Sequence, residues 1–167
     1  AYSDCVWPGD ANVDGFSNHF DLLNIGLFYN DAGPDRYDED NSWDATYADI
    51  WEDVAPIGSN IPKFADCNGN GIVDVNDTLS IALNYGLLHP LRTEEFTEFD
   101  ATPLYIDITE DTLPFDTTLT FPIILGNDEF PAEDIYGLGF TIEYNSDLVV
   151  PGSMDIQFND GWLGTEG

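Results

Sequence analysis

The chain has 167 residues, with 33 acidic side chains against 3 basic ones and a formal charge of −30. A surface of that sign repels nucleic-acid backbones and anionic membranes, so neither is expected as a partner. Hydrophobic residues make up 43% and aromatics 14%, enough to bury a core, and no apolar run approaches the ~20 residues that span a bilayer. The sequence opens at Ala1 rather than Met, as a mature or excised segment would.

Cys5 and Cys67 are the only cysteines, and with His19 and His89 they show no zinc-ligand spacing. A lone pair in an acidic chain suits one Cys5–Cys67 disulfide in an oxidising compartment over two buried free thiols. Such a bridge would close a loop of about 60 residues, worth up to roughly 4 kcal/mol in the chain-entropy model.

The N-terminal part contains an internal repeat. Asp10–Asn30 reads DANVDGFSNHFDLLNIGLFYN and Asp66–Gly86 reads DCNGNGIVDVNDTLSIALNYG, residue n of the first matching residue n + 56 of the second without a gap. Asp10/Asp66, Asn12/Asn68, Gly15/Gly71 and Asp21/Asp77 are identical, as are Leu23/Leu79, Ile25/Ile81, Leu27/Leu83 and Tyr29/Tyr85.

The polar half of each copy fits the calcium-loop pattern D-x-[DN]-x-[DN]-G-x5-D. In the first loop Asp10, Asn12 and Asp14 supply side-chain oxygens, Gly15 permits the sharp turn, and Phe16 offers its carbonyl. Asn18 acts through a water and Asp21 closes the sphere from the twelfth place. In the second loop the same places hold Asp66, Asn68, Asn70, Gly71, the Ile72 carbonyl, Asp74 and Asp77. Three carboxylates gathered in one loop repel one another unless a divalent cation sits among them, so two calcium ions are expected. The apolar half reads as an exit helix, with Leu23/Leu27 and Leu79/Leu83 at i, i+4 spacing. Asp21 and Asp77 stand where N-caps would, and Gly86 where a C-cap would. Pro8–Gly9 and Pro62 discourage an entering helix before either loop, which separates these units from full EF-hands.

A duplicated loop-helix unit of this kind resembles the dockerin family, over Asp10–Asn30 and Asp66–Gly86. The resemblance implies two antiparallel, calcium-stapled helices in a secreted or surface-attached bacterial module, with a cohesin-type protein partner. Two departures stand out. Asp31 to Ala65 is a long insert where dockerins have a short linker, and the tenth and eleventh loop places hold His19–Phe20 and Val75–Asn76 rather than small hydroxyl residues. Calcium binding therefore carries over, and cohesin recognition does not. Within the insert, Trp43, Tyr47 and Trp51 recur every four residues, which predicts a helical cover packed on the exit helices; exposed, the same rings would suit a glycan instead.

After an acidic connector over residues 92–101, short β-prone runs follow at Leu104–Ile108, Thr118–Leu125, Tyr136–Tyr144 and Met154–Phe158. Phe140, Ile142 and Tyr144 alternate with Thr141 and Glu143, as on a half-buried strand. The stretch from Leu119 to Phe158 resembles the opening of a cohesin-like or carbohydrate-binding β-sandwich. About 65 residues supply only part of such a sandwich, which predicts a segment of a larger protein. The whole reads as α+β in two units: a dockerin-like calcium-binding domain over 1–91 with insert 31–65, then an incomplete antiparallel sandwich over 102–167. Asp-Thr acceptor patterns make Thr78, Thr112 and Thr117 candidate O-glycosylation sites, and Asn76-Asp77-Thr78 fits an N-glycosylation sequon.

No nucleophile elbow, phosphate loop or catalytic cysteine context is present, so the chain is not expected to be an enzyme. Three roles stay open: a calcium-stabilised structural segment of a large secreted or cell-surface protein such as an adhesin or fibre, a docking module for a cohesin-like partner, and a non-catalytic appendage of a secreted glycan-processing enzyme.

Overall fold

A computed structural model of the chain describes residues 5–52, 61–89, 102–108, 112, 117–133 and 135–157. It is a mixed α+β arrangement of two short helices and two small antiparallel sheets. The first sheet pairs β1 (Cys5–Val6) with β2 (Thr46–Tyr47), and α1 (Asp21–Leu27) lies between them in sequence. A 3-10 turn at Pro62–Phe64 leads into the second loop; its first residue is proline, whose missing N–H is no loss there. A second 3-10 turn, Val75–Asp77, then runs straight into α2 (Thr78–Asn84). The second sheet pairs β3 (Leu104–Ile106) with β4 (Ile123–Leu125) in the register Leu104↔Leu125. The connector over 92–101 and Phe158 lie outside the described residues.

The two helices pack against each other. Their inward faces are Asp21, Asn24 and Ile25 followed by Phe28, and Asp77 followed by Ser80, Ile81 and Asn84, the same i, i+3, i+4, i+7 stripe in both copies. Ile25, Phe28 and Ile81 join Ala11, Trp51, Ala65, Cys67 and Val73 in the main core, and Val6, Ala48 and Phe64 form a smaller cluster beside it. Of the matched leucines that mark the exit helices in the sequence, Leu23, Leu79 and Leu83 are exposed, and Leu27 is half-buried against the core. The polar inward positions are satisfied across the repeat, Asn24 donating to Ala11 O at 2.8 Å and Asn84 to Pro8 O and Asn41 O, each at 2.7 Å.

Four expectations are corrected. The insert forms no α-helix among the described residues; outside β2 and the 3-10 turn at Pro62–Phe64 it is irregular chain, with Trp51 buried in the core, Trp43 partly buried and Tyr47 exposed. The bridge between Cys5 and Cys67 is not formed: Cys5 sits on β1, while Cys67 is sealed in the main core with its Sγ 3.5 Å from Phe64 O. The thiol of Cys67 is pushed far above its usual range by burial. The helix starts are not capped by Asp21 and Asp77, neither of which makes a side-chain cap bond to its helix. The capping oxygen comes three residues earlier. Asp74 and Asp77 form a reciprocal capping box over the second 3-10 turn, and Asn18 Oδ1 accepts from Phe20 N–H at 2.7 Å. Finally, residues 135–157 keep the expected alternation over Phe140, Thr141, Ile142 and Glu143 but lose it at Tyr144, which is exposed, and form no strand among the described residues.

The inverted role of the apolar residues is measurable. Ile81→Ala, at a site 4% exposed, should cost roughly 2–5 kcal/mol in urea unfolding. Leu83→Ala, at 63% exposed, should stay within about 0.5 kcal/mol of the native chain. Equal losses from the two would contradict the packing described.

Candidate metal centre

Each loop is shaped by its own side chains. Asp and Asn accept backbone N–H groups two residues ahead, curling the chain so that alternate side chains share one side. Six hydrogen bonds recur place for place in the two loops. From the third place, Asn12 Oδ1 accepts Asp14 N–H and Asn68 Oδ1 accepts Asn70 N–H, both at 2.9 Å. From the fifth, Asp14 and Asn70 accept the N–H of Phe16 and Ile72, again at 2.9 Å. From the ninth, Asn18 and Asp74 accept Phe20 and Asn76 N–H at 2.7 Å. The first-place carboxylates reach across to the glycine N–H groups, Asp10 to Gly15 at 3.2 Å and Asp66 to Gly71 at 3.1 Å.

The twelfth place fastens each loop shut. Asp21 accepts Asn12 N–H at 3.0 Å with one oxygen and Asn18 N–H at 2.8 Å with the other. Asp77 does the same with Asn68 and Asp74 at identical distances. Gly15 and Gly71 have φ of 93° and 79°, which glycine adopts without strain. The fourth places also lie in the left-handed region, Val13 at 63° and Gly69 at 81°. A β-branched residue there is strained, and Val13 is held by packing against the Val6, Ala48 and Phe64 cluster.

The seventh-place carbonyls are left over. Chain leaving one helix pairs with the other unit's loop: Asn30 N–H to Val73 O, Val73 N–H to Asp31 O and Gly33 N–H to Gly71 O, each 2.9 Å. The reciprocal set is Gly86 N–H to Ser17 O (2.7 Å), Ser17 N–H to Leu87 O (3.1 Å) and His89 N–H to Gly15 O (3.0 Å). The sixth- and eighth-place carbonyls thus face the partner segment. Those of Phe16 and Ile72, between them, accept no hydrogen bond from the described residues. The residue that turns each helix exit is Asn30 at φ 74° and Gly86 at φ 81°, equivalent positions held by the two residue types that tolerate it best.

Asp10, Asp21, Asp66 and Asp77 are each 1% exposed or less. Burial pushes the Asp21 carboxyl up to about 7, with backbone N–H groups opposing and Asp10 and Asp14 adding to the rise. It pushes Asp66 up to about 6 against the pull of Arg36. Burial likewise raises Asp77 against the N–H groups of Asn68 and Asp74, and Asp10 against its hydrogen bond to His89. The donor set of each loop is all oxygen: carboxylates, amide oxygens and one unpartnered carbonyl. That is the chemistry of a hard divalent cation rather than of zinc or copper. Among the described residues no three or more His, Cys, Asp or Glu side chains are placed together so as to hold a metal ion. In the first loop Asp14 is drawn instead towards Asn12, whose Nδ2 lies 3.0 Å from its Oδ2.

Two basic side chains attend the loops and have no signature in the repeat. Arg36 is buried and donates to Asp66 O at 2.8 Å and Cys67 O at 2.7 Å, under the second loop. His89 is buried with Nε2 2.8 Å from Asp10 Oδ2, under the first. Of the candidate glycosylation sites, Thr112 and Thr117 are exposed, whereas Thr78 spends its hydroxyl on Val75 O at 2.8 Å. His19 is not drawn into the first loop; its ring nitrogens lie 3.3 Å from Tyr85 Oη and 3.4 Å from Thr141 Oγ1.

Comparison with known proteins finds no match: no family model fits the chain, and no curated protein or solved structure is significantly similar to it.

The raised carboxyls fix the sign of a pH effect. A folded-state value above the ordinary 3.8 means the metal-free fold holds those protons more tightly than the unfolded chain. Their burial therefore opposes folding increasingly as pH rises from about 4 through 6 to 7. A cation ligated by the same oxygens must expel the protons. Calcium titrated at about pH 6 should release protons, seen as a heat that varies with buffer ionisation enthalpy, and at about pH 8.5 should release almost none. Buffer-independent heats at both values would contradict the assignment.

Proposed function

We propose that the chain is a calcium-stabilised, non-catalytic segment of a secreted or cell-surface protein, built on a dockerin-like pair of calcium loops. The observation that carries this reading is the recurrence, at equivalent places in both loops, of a closed hydrogen-bond cage ending on a buried aspartate. In the first loop Asp10, Asn12, Asp14, the Phe16 carbonyl and Asp21 would hold one ion, with Asn18 acting through water. In the second, Asp66, Asn68, Asn70, the Ile72 carbonyl and Asp77 would hold the other, with Asp74 in the corresponding role. The ions supply positive charge at two points where buried carboxylates otherwise have little to balance them. Net charge of −30 favours cation uptake further.

Within that reading a structural role in cis has a specific support. The outward face of α1 is met by the chain's own later segment: a Cβ built on Gly137 would fall 2.9 Å from Leu23 Cδ2, and one on Gly139 3.0 Å from Phe20 Cδ1. Glycines at those points let the backbone lie directly on the helix. The docking reading has its own support in α2, whose equivalent Leu79 and Leu83 are exposed. A pull-down with a cohesin-type partner separates the two; capture through α2, lost in Leu79→Asp, would favour docking.

Calorimetric titration of the chain with calcium should show two bound ions, and chelator should lower the melting temperature by several degrees. At calcium a hundredfold above its dissociation constant each site contributes about 2.7 kcal/mol. In the Asp10→Ala plus Asp66→Ala double variant the melting temperature should no longer respond to calcium. A double variant as calcium-responsive as the native chain would overturn the proposal.

A further inference from the structure

We infer that His89 is a positioning residue of the first cation loop, orienting the carboxylate of Asp10 from outside the loop, and that the second loop has no such residue among those described. The inference rests on the calcium reading above and assigns a residue to it that the loop pattern does not contain.

The backbone places His89 before any side chain acts. Its N–H donates to Gly15 O at 3.0 Å, which lays the residue across the turn of the first loop although it follows α2 in the chain. The ring is then fixed from two sides. Trp7, three residues ahead of Asp10, stacks on it with centroids 4.5 Å apart and planes within 6°. Trp43, from the insert, lies 5.8 Å away at 51° and touches Trp7 in turn at 5.3 Å. A plane clamped in this way has one hydrogen-bonding direction, and along it Nε2 stands 2.8 Å from Asp10 Oδ2.

The protonation pattern follows from the surroundings. Nδ1 is buried and finds no hydrogen-bond partner among the described residues. A proton there would be an unsatisfied buried donor, so the proton belongs on Nε2, where an ionised carboxylate can only accept it. Oδ2 of Asp10 thus receives Gly15 N–H and His89 Nε2–H together. Oδ1 of the same carboxylate accepts Asp14 N–H at 3.0 Å, so His89 adds a donor from outside the loop to a carboxylate already held from within it and stiffens its rotation. Outer partners of this kind typically change metal affinity 10- to 100-fold when deleted.

The second loop shows what the first would be without it. The position equivalent to His89 is Gly33, which keeps the backbone bond to Gly71 O but has no side chain. Asp66 Oδ2 has Gly71 N–H as its hydrogen-bond donor among the described residues, and Arg36 is spent on the carbonyls of Asp66 and Cys67. Both leading aspartates take the loop glycine N–H on Oδ2, but Oδ1 takes Asp14 N–H in the first loop and Gly69 N–H in the second, and among the described residues a ring nitrogen reaches Asp10 alone. The insert, with Trp43, is what makes the difference.

The test is calcium calorimetry on the full chain, with Asp10→Ala and Asp66→Ala used to assign each heat to its loop. His89→Leu should weaken the first site tenfold or more and leave the second within about twofold. His89→Gln, whose Nε2 can donate along the same line, should bring the first site back to within about threefold of the native value. His89→Leu that binds both ions as the native chain does overturns the inference while leaving the calcium reading intact. If His89→Leu does not fold, His89→Gln decides: first-site binding tenfold weaker than native overturns the hydrogen-bond role, and near-native binding supports it. A native chain that takes up no calcium removes the calcium reading and this inference together.

Discussion

Four aspartates with almost no exposed surface set the terms for the N-terminal region. Taking a carboxylate out of water costs several kcal/mol even after relaxation, and the repeat buries two in each copy. Backbone N–H groups satisfy their hydrogen-bonding capacity but do not cancel their charge. Among the described residues one buried arginine and one buried histidine stand near them, each tied to a different loop. This shortage explains why the protons on Asp21 and Asp66 are held so tightly in the metal-free fold, and why a divalent cation is the simplest means of relieving it. The core around the helices is small, so the state of these four groups weighs heavily in whether residues 5–89 fold.

The loops are not independent. Each is paired along its sixth to eighth places with the segment leaving the opposite helix, so ordering one loop orders the far end of the other unit. The leading aspartate of the first loop is also touched by a residue that follows the second helix. A disturbance in either loop therefore reaches the other through a few backbone bonds rather than through a long path. The same reciprocity gives the outward-facing leucines their status. With Ile25 and Ile81 turned inward between the loops, Leu23, Leu79 and Leu83 are left for contacts beyond the helix pair, while Leu27 packs against the core; on α1 the later glycine-bearing segment meets Leu23.

Much of this was readable in the sequence because the loop chemistry is local. A carboxamide or carboxylate that accepts the N–H two residues on acts within its own turn, so side-chain identity at six places specifies both the curl and the donors. The helix starts fall where the repeat puts them, at Asp21 and Thr78, but the twelfth-place aspartate only looks like their cap. It is engaged in closing the loop, and the ninth-place residue supplies the capping oxygen. Trp43, Tyr47 and Trp51 were ambiguous for a physical reason: a spacing of four puts residues on one side of a strand as well as near one face of a helix. Gly33, Pro34 and the run of Asp and Ser decided for irregular chain. Cysteine parity says nothing of direction, and Cys67 is turned inward by its place in the second loop. His89 and Arg36 could not have been found, since each acts on residues far away along the chain.

An insert between two halves of a duplicated unit would ordinarily weaken it, since lengthening the connection adds closure entropy. That penalty grows only logarithmically, by about 0.6 kcal/mol per doubling of length, so the insert needs few contacts to offset it. It makes several: Ala32 pairs with Ile72, Arg36 donates to the second loop's carbonyls, β2 completes the sheet with β1, Trp51 enters the core and Trp43 closes on His89. The segment that departs most from a plain tandem repeat is thus the one that reaches both loops. By touching the second at its backbone and the first through an imidazole, it sets two loops of one pattern in different surroundings.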